Sequence, residues 1–276
     1  MIAPRVLPIA TALLLSLIVA ACSASAPRRA ANVEFVSPSM IARVVTYNIH
    51  HGLGMDDSVN LERTARVLRT LQADIAGLQE VDSSVQRSGD VDQAAVLGEL
   101  LGMEHAFGAF MPYDGGRYGM AILSKFPIVR SESVRLPEGN EPRVALAAEI
   151  RMPDSSSVMV VNVHFDWVES DSFRFAQAEA LAEYLDGLTM PFILLGDFND
   201  VPESRTLALF QQRATEVDKP AGNEFTFPSD EPVKEIDYVF VSPAERWTQQ
   251  GARPIGERRA SDHRPVLAVV QLVPSR

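Results

Sequence analysis

The segment FILLGDFND, residues 192–200, contains a pattern that recurs along the whole chain. Its first four residues are apolar, which is typical of a short β-strand that is buried on both faces. The strand pattern stops at Gly196, so we expect Asp197 and Asn199 on the loop that follows the strand. Asp and Asn often bond only to the backbone of their own turn, and the segment alone therefore fits a turn and a functional site equally well.

Other predicted strands also end in polar side chains. Residues 41–49 (IARVVTYNI) are apolar and β-branched and end next to Asn48, and the buried strand predicted at 74–78 is followed by Gln79 and Glu80. Over the whole chain, the polar residues at predicted strand ends are Asn48, Glu80, His164, Asp197, Asn199, Asp237, Asp262 and His263. Their number favours a functional site over a set of unrelated turns.

The two halves of the chain resemble each other faintly. In the first half, NIH at 48–50 is followed by a predicted helix and then by LQE at 78–80. In the second half, NVH at 162–164 is followed by a predicted helix and then by LLGD at 194–197. We therefore expect two sheet halves that are related by pseudo-symmetry and whose strand ends converge.

The remaining pattern predicts one α/β domain from residue 41 to residue 276. Asn60 is expected to cap the first helix, and Ser170 or Asp171 the third. Helices are predicted at 61–71, 93–101, 172–185 and 204–211, and further strands at 107–110, 118–124, 131–135, 143–152, 158–165, 235–241 and 266–272. No stretch is long and structureless enough to indicate a second domain.

The composition is that of an ordinary globular protein, with 46% hydrophobic and 22% charged residues in a chain of 276. The formal net charge is −11. Without residues 1–21, whose only charged residue is Arg5, 24 Lys and Arg stand against 36 Asp and Glu, a net charge of −12. Such an acidic chain does not favour non-specific binding to nucleic-acid phosphates. It fits a small or neutral substrate, or acids gathered around a metal.

The N-terminal residues have the pattern of an export signal. Arg5 precedes an apolar segment, 6–21, which is shorter than the roughly 20 residues that a membrane-spanning helix requires. The segment ends in small residues before Cys22, the only cysteine, and this ending resembles the lipoprotein box of bacterial lipoproteins. The resemblance implies cleavage before Cys22, lipid attachment to its thiol and anchoring to the cell envelope outside the cytoplasm. Residues 22–40 are then a flexible tether; a plain cleavable signal and a short membrane anchor are the alternatives.

The polar residues at the strand ends select one kind of chemistry. The sequence has no second cysteine for a thiolate site, no G-x-S-x-G, Walker or H-E-x-x-H motif and no glycine-rich dinucleotide turn. Oxygen donors and two histidines remain. Oxygen donors suit Mg²⁺, Mn²⁺ or Ca²⁺, and a histidine paired with a carboxylate suits proton transfer or stabilisation of an oxyanion. Together they indicate hydrolysis of a phosphate ester by activated water.

Seven motifs resemble, in order, the signature blocks of the endonuclease/exonuclease/phosphatase superfamily, the deoxyribonuclease I-like phosphoesterases. The motifs are TYNIHHG, LQEVD, YGMAILS, VNVHF, GDFND, EIDYVFVS and SDHRPV, and the match spans about residues 41–272. The resemblance implies a four-layer α/β sandwich, in which two mixed β-sheets pack face to face with helices on the outside. It also implies a hydrolase that depends on a divalent metal.

The same resemblance implies roles for individual residues. Glu80 corresponds to the main Mg²⁺ ligand, with Asn48 and Asp262 close to it. Asp197 corresponds to the residue that orients or deprotonates the attacking water, and Asn199 to a contact for a phosphate oxygen or the metal.

Two histidines complete the implied site. His263 corresponds to the imidazole that stabilises charge on the reacting phosphorus group or assists the leaving group, with Asp237 orienting an imidazole. His164 stands where the phosphodiesterase and phosphatase branches carry histidine and the abasic-site repair nucleases carry tyrosine. The alternatives are a buried acid bonded to backbone donors for Asp237 and an ordinary core histidine for His164.

Three further residues are open to two interpretations. Arg143 either clamps a phosphate or is a solvated arginine at a strand end. For His50 and His51 a surface-loop role is favoured over contact with a second metal or with substrate.

The sequence therefore predicts an exported, lipid-tethered and monomeric phosphoesterase with Mg²⁺ as its cofactor. The expected substrate is a lipid headgroup or a small extracytoplasmic phosphate ester. An extracellular endonuclease is the first alternative, although no basic stripe with interleaved aromatic residues favours nucleic acid. A catalytically silent binding lipoprotein on the same fold is the second.

Overall fold

The computed structural model describes residues 1–2 and 41–273. The predicted signal segment from residue 3 onwards, Cys22 and the predicted tether lie outside the described residues. Within the described part of the chain, no helix combines the length and the apolar composition needed to cross a membrane.

The described residues form twelve strands and four α-helices. The strands are β1 (Ile41–Asn48), β2 (Ile75–Ser83), β3 (Glu104–Tyr113), β4 (Gly116–Ser124), β5 (Ile128–Arg135), β6 (Val144–Arg151), β7 (Ser157–His164), β8 (Phe192–Asp197), β9 (Thr215–Glu216), β10 (Asp237–Ser242), β11 (Trp247–Pro254) and β12 (Val266–Leu272). The helices are α1 (Leu61–Thr70), α2 (Gln93–Leu101), α3 (Ser172–Asp186) and α4 (Arg205–Gln211), and short 3-10 helices lie at His50–Gly52, Gln86–Ser88 and Ala244–Arg246.

The strands form two mixed sheets of six strands each. The order is β11-β12-β1-β2-β4-β3 in the first sheet and β5-β6-β7-β8-β10-β9 in the second. In the first sheet β1 is parallel to β2 and antiparallel to β12, and β2 is antiparallel to β4. In the second sheet β7 is parallel to β8 and antiparallel to β6, and β8 is antiparallel to β10. The two sheets therefore share a pattern of four strands, as the faint internal repeat predicts.

Apolar side chains form three layers, one between the two sheets and one between each sheet and its helices. Because side chains alternate along a strand, neighbouring residues of β8 enter different layers. Ile193 and Leu195 pack between the sheets, whereas Phe192 and Leu194 pack with side chains of α3 and α4. Each such burial stabilises the fold by about 1.5–3 kcal/mol. Burial on both faces explains the uninterrupted apolar run at the start of FILLGDFND, and the predicted four-layer sandwich is confirmed.

Side-chain caps agree with the prediction at one helix and differ at another. The Asn60 Oδ1 accepts a hydrogen bond from the Arg63 backbone N–H at 2.9 Å and caps α1. Asp171 stands before α3 but makes no capping hydrogen bond. Its carboxylate accepts two hydrogen bonds from the Arg205 guanidinium, at 2.7 and 2.9 Å, and the Ser170 hydroxyl bonds to a neighbouring serine. The predicted cap is wrong here because a charged partner from α4 holds the carboxylate.

Two strands have no counterpart among the predicted elements, the two-residue β9 and the longer β11. β11 (WTQQGARP) is polar and forms an edge of the first sheet, where it pairs with β12. Its register shifts between Gln249 and Gly251, and Gly251 has a φ of +103°. An edge strand with a solvated side needs few apolar residues, and hydrophobic periodicity therefore does not reveal it.

Candidate active site

Strand ends from both sheets meet around one pocket with a volume of about 580 Å³. The predicted site residues that line it are Glu80, Arg143, His164, Asp197, Asn199, Asp262 and His263. The other two within the described residues, Asn48 and Asp237, are buried and contact members of this group. Residues that are far apart in sequence thus form one cluster, whose catalytic roles stay predictions.

Asp197 ends β8 and lies 1% exposed at the centre of the cluster. The preceding Gly196 has a φ of +151°, and a Cβ at this position would collide with the backbone oxygen of Val163 in β7. One carboxylate oxygen of Asp197 accepts the Asn199 backbone N–H at 2.9 Å, and the other accepts the Asn48 Nδ2 at 3.1 Å. The first oxygen completes the turn and the second faces the cluster. Asp197 therefore closes its own turn and also faces the cluster, and its functional role stays a prediction.

Two imidazoles approach the same oxygen of Asp197. The Nε2 atoms of His164 and His263 lie 3.5 and 3.6 Å from Asp197 Oδ2. Behind them, Arg143 Nη1 lies 3.2 Å from His164 Nδ1, and Asp237 Oδ2 lies 3.0 Å from His263 Nδ1. Because a guanidinium only donates, His164 Nδ1 accepts and its Nε2 carries the proton that faces Asp197. The Nδ1 of His164 is thus bonded to a cationic side chain, and the Nδ1 of His263 to an acidic one.

Burial and these neighbours separate the pKa values of the three central groups. Burial raises the pKa of Asp197 to about 7, and Asp237 adds to this effect, although the charge of His263 opposes it. Burial lowers the pKa of His263, but the Asp237 and Asp197 carboxylates outweigh that effect and raise it to about 10. Burial, Arg143 and His263 hold the pKa of His164 well below its usual value. Near neutral pH the cluster therefore contains one cationic and one neutral imidazole next to an acid that titrates.

Glu80 reaches the cluster because β2 is irregular at its position. The register of β2 shifts between Gln79 and Val81, and Glu80 has a φ of +57°. Its Oε1 accepts the Asn48 Nδ2 at 3.0 Å, and the same nitrogen donates to Asp197. The Asn48 amide therefore links a carboxylate of the first sheet to one of the second. A role of Asn48 as a metal ligand would require its amide to rotate and present oxygen in place of nitrogen.

The loop after β1 differs from its prediction at one residue. His51 is 8% exposed, so a surface-loop role is wrong for this side chain, whereas His50 is about one third exposed. The His50 Nδ1 lies 3.8 Å from Asp262 Oδ1. Burial, together with Arg87 and His50, lowers the pKa of His51 to about 4, so its imidazole is neutral at physiological pH.

Arg143 is also buried, at 2% exposure, so the interpretation as a solvated arginine is wrong. Its Nη2 donates to Glu141 at 2.9 Å, and its guanidinium lies 4.9 Å from the centre of the Phe110 ring. Since Nη1 bonds to His164, most of the guanidinium is committed to neighbours within the protein. Arg143 orients His164 in this arrangement, and contact with a phosphate stays a prediction.

Among the described residues, two groups of side chains present enough donors for a divalent metal. One consists of His50, His51 and Glu80, and the other of Asp197, Asp237 and His263; within each group the donor atoms lie within 4.8 Å of one another. Each group contains one buried donor atom without a hydrogen-bond partner, His51 Nδ1 in the first and Asp237 Oδ1 in the second. The second group contains the cationic His263, whose charge repels a metal ion, whereas His51 in the first group is neutral. The residues around Glu80 therefore fit a divalent cation better.

A polar link between the two sheets was not among the predicted site residues. Gln79 Nε2 donates to Asn162 Oδ1 at 2.6 Å, and Asn162 Nδ2 donates to the backbone oxygens of Leu78 and Ala121 at 2.9 and 3.0 Å. Both side chains are fully buried, next in sequence to residues of the site. The repeated Asn-x-His motif contained the only sequence signal for this link.

The rim of the pocket also contains residues that sequence reasoning missed. Trp167 is 58% exposed and lines the pocket together with Phe227, whose ring centre lies 4.9 Å from that of His263. Both residues belong to irregular segments, where neither periodicity nor a motif indicates a position next to the site.

Comparison with known proteins identifies the family. A family model described as "Endonuclease/Exonuclease/phosphatase family" matches residues 45–263. The chain belongs to the endonuclease/exonuclease/phosphatase family. Its members are phosphoesterase hydrolases that depend on divalent metals, and the predicted family membership is confirmed.

Relatives from this family cover most of the chain. The chain is 29% identical over 249 residues to the uncharacterized protein YbhP of Escherichia coli (strain K12), covering 83% of this chain and 96% of YbhP. An endonuclease/exonuclease/phosphatase family protein from Bacteroides thetaiotaomicron has a similar structure, with a TM-score of 0.72, 20% identity and coverage of 86% of this chain and 99% of the other. The mannosyl-6-phosphatase Bt3783 of the same organism has a TM-score of 0.68, 21% identity and coverage of 83% and 99%.

Proposed function

We propose that this protein hydrolyses a phosphate ester by in-line attack of water and depends on a divalent cation. The observation that carries this proposal is the position of Asp197, which is buried between two imidazoles and linked through Asn48 to Glu80. A proton acceptor, a cationic donor and a candidate cation site then surround one pocket. These are the parts that hydrolysis of a phosphate ester requires.

Asp197 is the residue that orients the water and accepts its proton. Its pKa of about 7 places the carboxylate close to the operating pH, where a general base is most effective. Asn199 fixes the carboxylate through its backbone N–H and is itself held by a hydrogen bond from its Nδ2 to the Phe165 backbone oxygen at 3.0 Å. Its amide oxygen remains for a contact in the pocket.

His263 stabilises the negative charge that develops on the phosphoryl oxygens. Its raised pKa keeps it protonated, and the bond from Nδ1 to Asp237 directs the Nε2–H toward the pocket. His164 supplies a neutral Nε2–H on the other side of Asp197. Glu80, with Asp262 nearby, would hold a divalent cation, which when bound would supply positive charge to the phosphate and favour ionisation of water.

A small phosphate ester or a lipid headgroup fits the pocket better than nucleic acid. The chain is acidic, and the arginines that line the pocket, Arg143 and Arg174, form ion pairs with Glu141 and Asp200 at 2.9 and 3.0 Å. Few free cations therefore remain to neutralise a phosphate backbone. The exposed Trp167 at the rim offers an apolar surface to a sugar ring or a lipid. The structurally similar mannosyl-6-phosphatase supports the choice of a small substrate.

The experiment compares substrates with and without metal. The purified full chain is incubated with a soluble bis-ester, mannose 6-phosphate, sphingomyelin vesicles and plasmid DNA, in divalent cation and in EDTA. We expect EDTA-sensitive turnover of a small ester or the lipid, and little of DNA. His105→Gln serves as the control, because this histidine lies outside the pocket. Preferred cleavage of DNA would favour the endonuclease alternative, and no EDTA-sensitive turnover of any substrate would favour a silent binding protein.

We also propose that the chain is anchored to the bacterial cell envelope, outside the cytoplasm, through lipid on Cys22. The support is the sequence pattern of residues 1–22 alone. Labelled palmitate should enter the wild-type protein in a bacterial host and should not enter a Cys22→Ser variant. Equal labelling of both proteins would contradict the anchor.

A further inference from the structure

One part of the pocket lining is a large aromatic side chain that no step of the proposed hydrolysis requires. Trp167 is 58% exposed and lines the pocket, three residues after His164, where β7 ends. Trp247, the second tryptophan of the chain, is 7% exposed and packs between the two sheets. A ring of this size contributes little to folding while it stays in solvent, whereas aromatic side chains in a pocket are typical contacts of small ligands.

Hydrogen bonds hold the backbone on both sides of Trp167. The Asp166 backbone N–H donates to Gln177 Oε1 at 2.9 Å. Arg174 Nη1 donates to the backbone oxygens of Asp166 and Val168 at 2.9 and 3.1 Å. Gln177 and Arg174 belong to α3 and are buried. Because α3 fixes this segment, less conformational entropy is lost when a ligand contacts the indole ring.

Two carboxylates line the same pocket, Glu141 and Glu169. Asp166 Oδ2 accepts the backbone N–H of Asn140 at 2.6 Å, so the loop that carries Glu141 is bonded to the segment that carries Trp167. Glu169 is exposed and forms no hydrogen bond or ion pair with another described residue. An ionised carboxylate only accepts hydrogen bonds, so this part of the pocket offers partners to hydroxyl groups.

Glu141 is also connected to the polar cluster around Asp197. Its Oε2 accepts a hydrogen bond from Arg143 Nη2 at 2.9 Å, and Arg143 Nη1 lies 3.2 Å from His164 Nδ1. Glu141 and Trp167 therefore both adjoin the place proposed for the phosphate, and the alcohol part of an ester extends along them. The pocket volume of about 580 Å³ lies within the range of roughly 300–1,000 Å³ that is typical of small-molecule sites.

The indole ring and the two carboxylates together favour one kind of alcohol. An indole stacks on an apolar face, and carboxylates accept hydrogen bonds from hydroxyl groups. A sugar or a cyclic polyol has both features, because its C–H groups form a face and its hydroxyls surround the ring. An acyl chain would remove water from the carboxylates without replacing their hydrogen bonds, and the carboxylates would repel a second phosphate.

We propose that Trp167, Glu141 and Glu169 form a subsite for a hydroxyl-rich ring that carries the phosphate ester. This inference rests on the proposed function, because it names the alcohol part of the substrate. Trp167 stacks on the ring, and the two glutamates accept hydrogen bonds from its hydroxyls. A free sugar or polyol phosphate and the headgroup of an inositol-containing lipid share this chemistry, and the test includes both sources.

The first test compares phosphate esters that differ in the alcohol. The full chain is assayed with a divalent cation on mannose 6-phosphate, inositol 1-phosphate, cyclohexyl phosphate and methyl phosphate, each also as its methyl diester, and on phosphatidylinositol vesicles. Cyclohexyl phosphate has a ring without hydroxyls, and methyl phosphate has neither. We expect kcat/KM for the better hydroxylated ring ester to exceed that for methyl phosphate by about 100-fold. Trp167→Ala should lower this ratio by about 30-fold and Glu169→Gln by about 10-fold.

Phe173→Ala and Glu179→Gln are the matched controls, because both side chains are exposed and lie outside the pocket. Neither should change the ratio, and circular dichroism verifies that every variant is folded. An unchanged ratio in folded Trp167→Ala would overturn the subsite, as would faster hydrolysis of cyclohexyl phosphate or of a dinucleotide than of every hydroxylated ring ester. A preference for the vesicles supports the subsite with a lipid as its source, and a preference for the soluble ring esters supports it with a free ester.

The second test measures binding without turnover. Trp247→Phe leaves Trp167 as the only tryptophan, and Asp197→Asn should slow hydrolysis, so the fluorescence of the doubly substituted protein reports contact with Trp167. We expect inositol 1-phosphate or mannose 6-phosphate to change the emission and to reduce its quenching by acrylamide, and methyl phosphate to do neither. If Trp247→Phe does not fold, acrylamide quenching of the protein with both tryptophans serves instead, because Trp247 is buried.

The two tests separate failure of the subsite from failure of the proposed function. No fluorescence response to any hydroxylated ring ester would overturn the subsite. A response without hydrolysis of any ester by the unsubstituted chain would preserve the subsite and remove the proposed function. Hydrolysis of all the esters with equal efficiency would preserve the proposed function and remove the subsite.

Discussion

The two halves of the molecule contain the same sequence motif, Asn-x-His, followed by a strand that ends in an acid. The motif lies at a different depth in the fold in each half. In the first half β1 ends at Asn48, and His50 lies in the turn beyond it. In the second half β7 continues through Asn162 to His164. Asn48 therefore reaches the pocket cluster, whereas Asn162 is buried between the sheets. A repeated motif can thus place the same residue type in a site and in a core.

The difference arises from the position at which β1 and β7 each end in their sheet. Asn48 is opposite Gln79 in the parallel pair, and the chain then leaves the strand in a turn where His50 and His51 have positive φ. His164 is opposite Asp197 and remains in the ladder. Side chains two residues apart in a strand share a face. β7 continues for two residues beyond its asparagine, whereas β1 ends at its asparagine. In β7 the histidine therefore lies at the end of the strand, and the asparagine lies further inside the sheet. In the proposed function, the first half would contribute donors for a cation and the second half groups for proton transfer.

The largest expected effect separates these two roles. Asp197→Asn should lower kcat by about 10²–10⁴, because it removes the proton acceptor, and added metal should not restore the rate. Glu80→Gln should also be nearly inactive at low metal concentration but should recover as the concentration rises, because it weakens cation binding. Rates measured over a metal titration distinguish the two variants. If added metal restored the activity of Asp197→Asn, Asp197 would be a metal ligand. The two halves would then no longer differ in their proposed roles.

Variants of the two asparagines should lose stability, and a divalent cation should restore it in only one of them. Asn162→Ala removes one of the three acceptors of Gln79 Nε2 and the side-chain donor to two buried backbone oxygens. It should lower the free energy of unfolding by about 1–3 kcal/mol, with or without a divalent cation. Asn48→Ala removes the donor that links Glu80 to Asp197, so a cation that neutralises these carboxylates should restore much of the lost stability. Urea denaturation with and without metal measures both effects. If the cation restores the stability of both variants equally, the different burial of Asn48 and Asn162 does not determine their roles.

A third effect concerns the two imidazoles around Asp197, whose contributions to stability should depend on pH in opposite directions. The pKa of His263 is raised from 6.5 to about 10, so its stabilising contribution is complete below pH 6.5 and disappears as the pH rises through 10. The pKa of His164 is lowered, so protonation destabilises the fold as the pH falls below 6.5. Comparison of His263→Gln with the wild type should show a stability difference of about 1.5–3 kcal/mol at pH 6.5 that shrinks toward pH 10. The stability of His164→Gln relative to the wild type should be highest at acid pH. Parallel pH profiles for both variants would contradict the assigned charge states.

Much of the fold and the site is readable from the sequence. The apolar runs before Asn48, Glu80, His164 and Asp197 predict the strands, because residues buried on both faces leave no alternation. The order of the motifs predicts the family and therefore which strand ends meet. Pattern reasoning also finds the cap at Asn60, where the partner is only three residues away. Predictions of this kind succeed where the deciding contact is local or repeated in a motif.

Other features depend on contacts that no local pattern records. The burial of His51 and Arg143, the bulge at Glu80 and the bond between Gln79 and Asn162 all require the two sheets and the adjoining helices to be in place. The cap predicted at Asp171 fails for the same reason, since its carboxylate bonds to Arg205 of α4.

By itself the sequence determined the buried strands, their polar ends and the family, because these follow from local hydrophobicity and from motifs. Only the tertiary structure decided the charge state and partner of each polar residue. Burial and neighbouring charges shift the pKa values of Asp197 and His263, and these neighbours come from strands that are distant in the chain. FILLGDFND therefore predicts where Asp197 stands, whereas packing of the two sheets around it determines what its carboxylate does.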